Sequence, residues 1–204
     1  AGLRIAVPEN LVFEDIEDSV ADAFSRALSR LSKHGVAIRH IAFPELDDVP
    51  QLARNGGIVA AEAHAWHADL IESARERYDP RVRARMLMGR EIDSREYIAL
   101  CRERRRLIES SARITRQFDA IAMPTTPVVA PPFSAFESDD EFGRLNKLLL
   151  RNPSTANALD RCAISLPCHD HGSAPVGFSL MGEQGGDHAL LRVAAAVEQG
   201  LGSS

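Results

Sequence analysis

Residues 152–182, NPSTANALDRCAISLPCHDHGSAPVGFSLMG, constrain the fold more tightly than any other stretch. Two short apolar runs, Ala163 to Cys168 and Pro175 to Met181, flank five turn-forming residues, His169-Asp170-His171-Gly172-Ser173. Dense runs of this length around a polar turn predict neighbouring antiparallel strands. A short helical piece carrying Ala156, Ala158 and Leu159 precedes them. The elements upstream then read as helices and strands that cover and extend this sheet.

Leu3 to Val7 alternates its bulky side chains at period two and stops at Pro8, which predicts a strand. Asp18 and Ser19 offer side-chain oxygens as N-caps, and Val20, Phe24, Ala27, Leu28 and Leu31 follow at helical spacing up to Gly35. Val36 to Phe43 is a second strand. Strand, helix, strand implies two parallel strands joined by a right-handed crossover. Residues 45–117 read as mostly helical, punctuated by Gly56-Gly57, by Tyr78-Asp79-Pro80 and by Gly89, with Asp93 or Ser94 capping the last helix. Phe118 to Met123 is a buried strand that runs into Pro124-Thr125-Thr126-Pro127, where two prolines prevent regular pairing. Residues 131–144, rich in Pro, Ser and Asp, predict an exposed loop, and Leu145 to Leu150 a short apolar helix. Asp187 caps a final helix with Leu190, Val193, Ala194 and Val197 on one stripe.

A chain of 204 residues can bury one substantial core, and the reading is a single domain over 1–204. No apolar run approaches the roughly 20 residues a membrane-spanning helix needs. The three cysteines, Cys101, Cys162 and Cys168, favour free thiols in a reducing compartment, hence a cytoplasmic protein. A formal charge of −5 supplies no attraction to nucleic acid or to anionic membranes. Only Lys33 and Lys147 are lysines. The direct entry from Ala1 into a strand reads as a fragment of a longer protein.

Several clusters invite a functional reading and favour a bland one. His64 and His67 share a helix face, yet no third ligand is evident nearby. Cys162, Cys168, His169 and His171 are the residue types zinc prefers, but adjacent Cys168 and His169 point to opposite faces of an extended strand. The loop Gly182 to Asp187 fits no phosphate-binding spacing, and Asp187 would repel phosphate. Arg102 to Arg106, RERRR, lies in a helical pattern with Glu103 and Glu109 interspersed and no interleaved aromatic residue, as expected of a solvated, ion-paired face.

Three segments carry a family resemblance: DAIAMPTTPVVAPP at 119–132, Arg151-Asn152 with the helix through Asn157, and Ile164 to Cys168 followed by Gly172 and Pro175 to Gly182. These resemble the C-terminal half of amidase-signature enzymes, serine hydrolases of C–N bonds. The last helix and the opening Leu3 to Pro8 match in position. One departure is Asp160-Arg161-Cys162, where the family often has Gly-x-Pro.

The resemblance implies an α/β fold with helices packed on a mixed β-sheet, the C-terminal portion of the amidase-signature fold. It implies hydrolysis of a carboxylic amide through an acyl-serine intermediate in the complete enzyme, without cofactor or metal. The family uses a Ser nucleophile in a Gly- and Ser-rich run, a second Ser held through a cis peptide, and a Lys base. A hydroxyl is a weak nucleophile without that base, and the oxyanion needs converging amides. No such run exists here; Ser110-Ser111 lies in a helix, and neither lysine has the family's context. The expectation is therefore no catalytic residue in this chain, which alone hydrolyses no amide. Thr125, Thr126 and Asn157 are the residues placed nearest the substrate cleft by position in the family. The implied partners are the N-terminal catalytic half of the same enzyme and a small amide substrate. The alternatives are a non-catalytic module, marked by a defined homodimer, and a protein like the amidase-fold subunit of an amidotransferase.

Overall fold

The computed structural model describes residues 2–202. In chain order the elements are β1 (Arg4–Pro8), α1 (Asp18–Lys33), β2 (Ala37–Ile41), a single turn α2 (Glu45–Asp48), α3 (Gly57–Ser73), α4 (Pro80–Leu87), α5 (Ser94–Thr115), β3 (Ala120–Pro124), α6 (Asp139–Ala158), β4 (Ala163–Pro167), β5 (Gly177–Met181) and α7 (Asp187–Leu201), with short 3-10 turns between some of them. The strands form one mixed sheet in the order β2-β1-β3-β5-β4. β1 is parallel to β2, as the crossover predicts, and it also pairs in parallel with β3. β5 is antiparallel to β4, as the hairpin reading of 163–181 predicts, and the pairing continues past the strands through Cys168 N–H to the Val176 carbonyl at 3.0 Å; β5 is also antiparallel to β3.

The chain divides into two compact units, Ala1–Asp47 with Ser111–Ser204, and Asp48–Ser110. The first holds the sheet. Period-two alternation gives each strand two faces. Ile5, Val7, Ala120, Ala122, Phe178 and Leu180 face α1 and α7, meeting Val20, Phe24, Ala27, Leu31, Leu190, Val193 and Val197. Phe24 stacks on Phe178 with ring centroids 4.9 Å apart. On the opposite face α6 lies against β3, where the Thr155 hydroxyl reaches Met123 Sδ at 3.6 Å. Every residue of β3 is buried because helices cover both its faces, which is why its sequence shows no alternation.

The second unit is helical. Asp93 Oδ1 accepts the Glu96 N–H at 2.7 Å and caps α5, as expected. Gly89 is required where the α4–α5 connection meets α3, since a Cβ there would sit 2.0 Å from the Ala60 carbonyl oxygen.

Several boundaries differ from the sequence reading, and Pro124, read as part of an unpaired turn, ends β3 opposite Phe178. Glu17, not Asp18 or Ser19, holds the N-cap of α1; its carboxylate takes the Ser19 hydroxyl at 2.6 Å. Gly186, not Asp187, precedes α7, and Asp187 supplies charge to the first turn instead of a side-chain cap. The segment 131–144 contains a 3-10 turn, Phe133–Phe136, and α6 already starts at Asp139. Ser138 Oγ accepts the Glu141 N–H at 3.2 Å, and Asp139, Asp140 and Glu141 suit the positive end of a helix. The acidic composition that reads as loop is a helix start. The helices expected at 145–150 and at 156–159 are one, continuous through Pro153.

The departure at 160–162 preserves the turn. Asp160 has φ 55°, the left-handed conformation usual for glycine after a helix, and the Arg161 N–H returns to the Ala156 carbonyl at 3.0 Å. Asp is among the few other residues that tolerate this region.

Candidate functional site

The site follows from topology. β1 and β3 are adjacent and parallel, but α1 leaves the end of β1 on one face of the sheet while α6 leads from β3 onto the other. In open α/β sheets, ligands usually bind beyond the carboxyl ends of the strands, where such connections diverge. Pro8 and Pro124 close the two strands at that end, so Thr125 and Thr126 stand directly beyond β3.

Thr125 is half-buried, and its N–H donates to the Gly177 carbonyl at 2.8 Å. Its hydroxyl pairs with that of Ser165 on β4 at 2.5 Å. The two reach each other across β5 because residue 177 is glycine; a Cβ there would lie 2.5 Å from both oxygens. The Thr126 hydroxyl donates to the Val128 carbonyl at 2.9 Å, bracing the turn. Asn157 is exposed in the last turn of α6, two residues past the fully buried Thr155.

The residues that tie these segments together went unassigned in the sequence. Asn152 is 1% exposed, and its amide donates to the Val12 carbonyl at 3.0 Å and to the Pro124 carbonyl at 2.9 Å. One side chain thus ties the segment after β1 to the end of β3. Arg151 Nε donates to Asn152 Oδ1 at 3.2 Å, fixing the amide's orientation, and its Nη2 donates to the Val12 and Glu14 carbonyls. Burial pulls the Arg151 guanidinium below its ordinary pKa, while Glu14 and Asp15 oppose that shift. The Arg-Asn pair before a helix was visible, but carbonyl partners distant in sequence leave no mark in a residue string.

Elsewhere, Cys168 is buried and its thiol is pushed up to about 11 by burial, against the pull of Arg26 and Arg30. It is a neutral thiol at physiological pH, a poor nucleophile. Ser111 is fully buried beside the Arg161 guanidinium at 3.4 Å, and Arg161 pairs with Glu183 at 2.9 Å. Lys33 and Lys147 are both exposed. His67 is engaged by the Tyr78 hydroxyl at 2.9 Å. Among the described residues no group of three or more His, Cys, Asp or Glu is placed to hold a metal ion. In the helical unit an open groove of about 420 Å³ is lined by Glu62, His64, Arg90, Asp93 and Tyr97; the Tyr97 phenol, donating to Glu62 at 2.8 Å, is pushed up to about 12 chiefly by that bond. No helix is long and apolar enough to cross a membrane among the described residues.

The model of the family described as Amidase matches residues 1–191. The chain is 29% identical over 202 residues to 2-amino-5-chloromuconic acid deaminase of Comamonas testosteroni, covering 98% of this chain and 44% of that protein. It is 25% identical to a glutamyl-tRNA(Gln) amidotransferase subunit of Thermotoga maritima, covering 98% of this chain and 46% of that protein. Allophanate hydrolase of Kluyveromyces lactis has the same fold over 98% of this chain and 31% of its own, with a TM-score of 0.82 at 20% identity. The chain spans less than half the length of these relatives. With a five-stranded mixed sheet under helices and a family match across nearly all of its length, the chain belongs to the amidase family.

Proposed function

We propose that this chain is the C-terminal part of an amidase that hydrolyses carboxylic amide C–N bonds through an acyl-serine intermediate. The nucleophile, the oxyanion-binding amides and the lysine base belong to an N-terminal catalytic half. This chain contributes sheet strands and one wall of the substrate cleft. The observation that carries the reading is the placement of Thr125 and Thr126 directly beyond the carboxyl end of β3, held to the segment after β1 by Asn152, in a chain of this family. Thr125, Thr126 and Asn157 are the substrate-facing residues in this reading. Three free cysteines fit a cytoplasmic enzyme. Similarity to an amidotransferase component supports a second reading, amide chemistry on a larger substrate within a multi-subunit complex.

The test is turnover of a panel of small amides. The isolated 204 residues release ammonia no faster than buffer. Joined to the upstream catalytic half they turn over, and Thr125→Val lowers kcat/KM by about tenfold, the value of one hydrogen bond near 1.4 kcal/mol. Turnover by the isolated chain above buffer sinks the proposal.

A further inference from the structure

We propose that Ser165 is a positioning residue of the substrate cleft: its hydroxyl holds that of Thr125 in one direction, and Gly177 keeps the path between them open. The inference rests on the reading of Thr125 as substrate-facing. The three residues share one face of the sheet. Leu166, Phe178 and Leu180 belong to the core under α1 and α7, so by alternation Ser165, Gly177 and Ser179 face the other way. Thr125 continues the row of Ile121 and Met123 on that same face, where Met123 meets Thr155 of α6. The Thr125 N–H reaches the Gly177 carbonyl at 2.8 Å, which sets Thr125 beside β5, and the Thr125 and Ser165 hydroxyl oxygens then lie 2.5 Å apart.

Gly177 is the telling residue. Its φ lies outside the left-handed region, so its backbone does not call for glycine, and a glycine inside a strand weakens it. The atoms nearest a Cβ built there are Ser165 Oγ and Thr125 Oγ1, both at 2.5 Å, and Thr125 Cβ at 2.8 Å. What the missing side chain makes room for is the hydroxyl pair. Ser165 is exposed, so water could serve its hydroxyl equally well, and the pair adds little to stability. Its consequence is direction. In such a pair one hydroxyl spends its proton on the other, a single O–H is left to point outward, and the pairing strengthens it as a donor. A lone threonine hydroxyl turns among staggered positions; fixing it beforehand removes that cost from substrate binding. Thr126, by contrast, gives its proton to the Val128 carbonyl at 2.9 Å. Ser165 therefore acts on the substrate through Thr125.

The test uses the chain joined to its upstream catalytic half, assayed on the panel of small amides. Ser165→Ala raises KM about three- to fivefold and leaves kcat unchanged, because the loss falls on binding and not on the chemical step. Gly177→Ala, which wedges a methyl between the two oxygens, raises KM likewise. Ser165→Thr returns the hydroxyl and restores KM. Thr125→Val combined with Ser165→Ala loses no more than Thr125→Val alone, since a residue that works through another then has nothing left to position. The urea midpoint of Ser165→Ala stays that of the unaltered protein. An unchanged KM in a Ser165→Ala protein that turns over overturns the inference and leaves the amidase reading standing. So does a KM that rises only together with a fall in the urea midpoint, or a double variant in which the two losses add. An absence of turnover by the unaltered joined protein sinks the amidase reading, and this inference with it.

Discussion

Asn152 has the most consequential side chain at the carboxyl end of the sheet, because its amide serves two backbone carbonyls at once. Asn152→Leu keeps the volume and removes both donors. Removing this donor from the buried Pro124 carbonyl, and leaving the Val12 carbonyl with Arg151, costs about 1–3 kcal/mol. Urea unfolding should show that loss as a lower midpoint with an unchanged slope; a loss under about 1 kcal/mol would mean water reaches those oxygens. Cys168 makes a second prediction, in pH. Burial raises its thiol from 9.0 to about 11. Below pH 9 the thiol is neutral in both folded and unfolded chains. Between 9 and 11 the unfolded chain loses the proton while the folded chain keeps it, so stability falls as pH rises. Cys168→Ala should remove that slope from the melting temperature measured across the window, and a slope that survives the substitution would assign it to another group. Thr125 and Thr126 could be picked from the sequence as turn residues after a buried strand. Ser165 and Gly177 could not, because their meeting depends on β4 and β5 pairing in the observed register.

At the scale of elements, the strands and the parallel crossover were legible from alternation and from glycine and proline punctuation. The start of α6 was not. Ser138-Asp139-Asp140 has the composition of a loop, and only the capping geometry turns it into a first helical turn. α4 shows the same chemistry on a weaker element. Asp79 Oδ1 accepts the Arg81 and Val82 N–H groups at 2.9 and 3.1 Å, with Pro80 at the first helical position. No residue of α4 is buried, so the cap carries much of its order. Asp79→Ala should cost α4 about 1 kcal/mol. Hydrogen exchange would report it as faster exchange confined to 80–87; an unchanged rate there would show that neighbouring helices, not the cap, hold α4 in place. Tests of propensity and capping belong at this scale, because they change one element and leave the sheet intact.

At the scale of the whole molecule, the family and the helix-on-sheet class followed from residues that speak locally. The Pro-Thr-Thr-Pro turn, the paired apolar runs and the final amphipathic helix each announce themselves within a short window, since turn chemistry and side-chain periodicity depend on near neighbours. The sequence by itself therefore determined most of the strands and helices, the start of α6 excepted, and that β4 and β5 run antiparallel. Only the tertiary structure decided that β3 lies between β1 and β5, that α1 and α6 pack on opposite faces of the sheet, and that Asn152 ties the segment after β1 to the end of β3. The partners there are 28 and 140 residues apart along the chain. Pairing across such separations is chosen by burial and hydrogen-bond satisfaction summed over the whole unit, which no local pattern encodes.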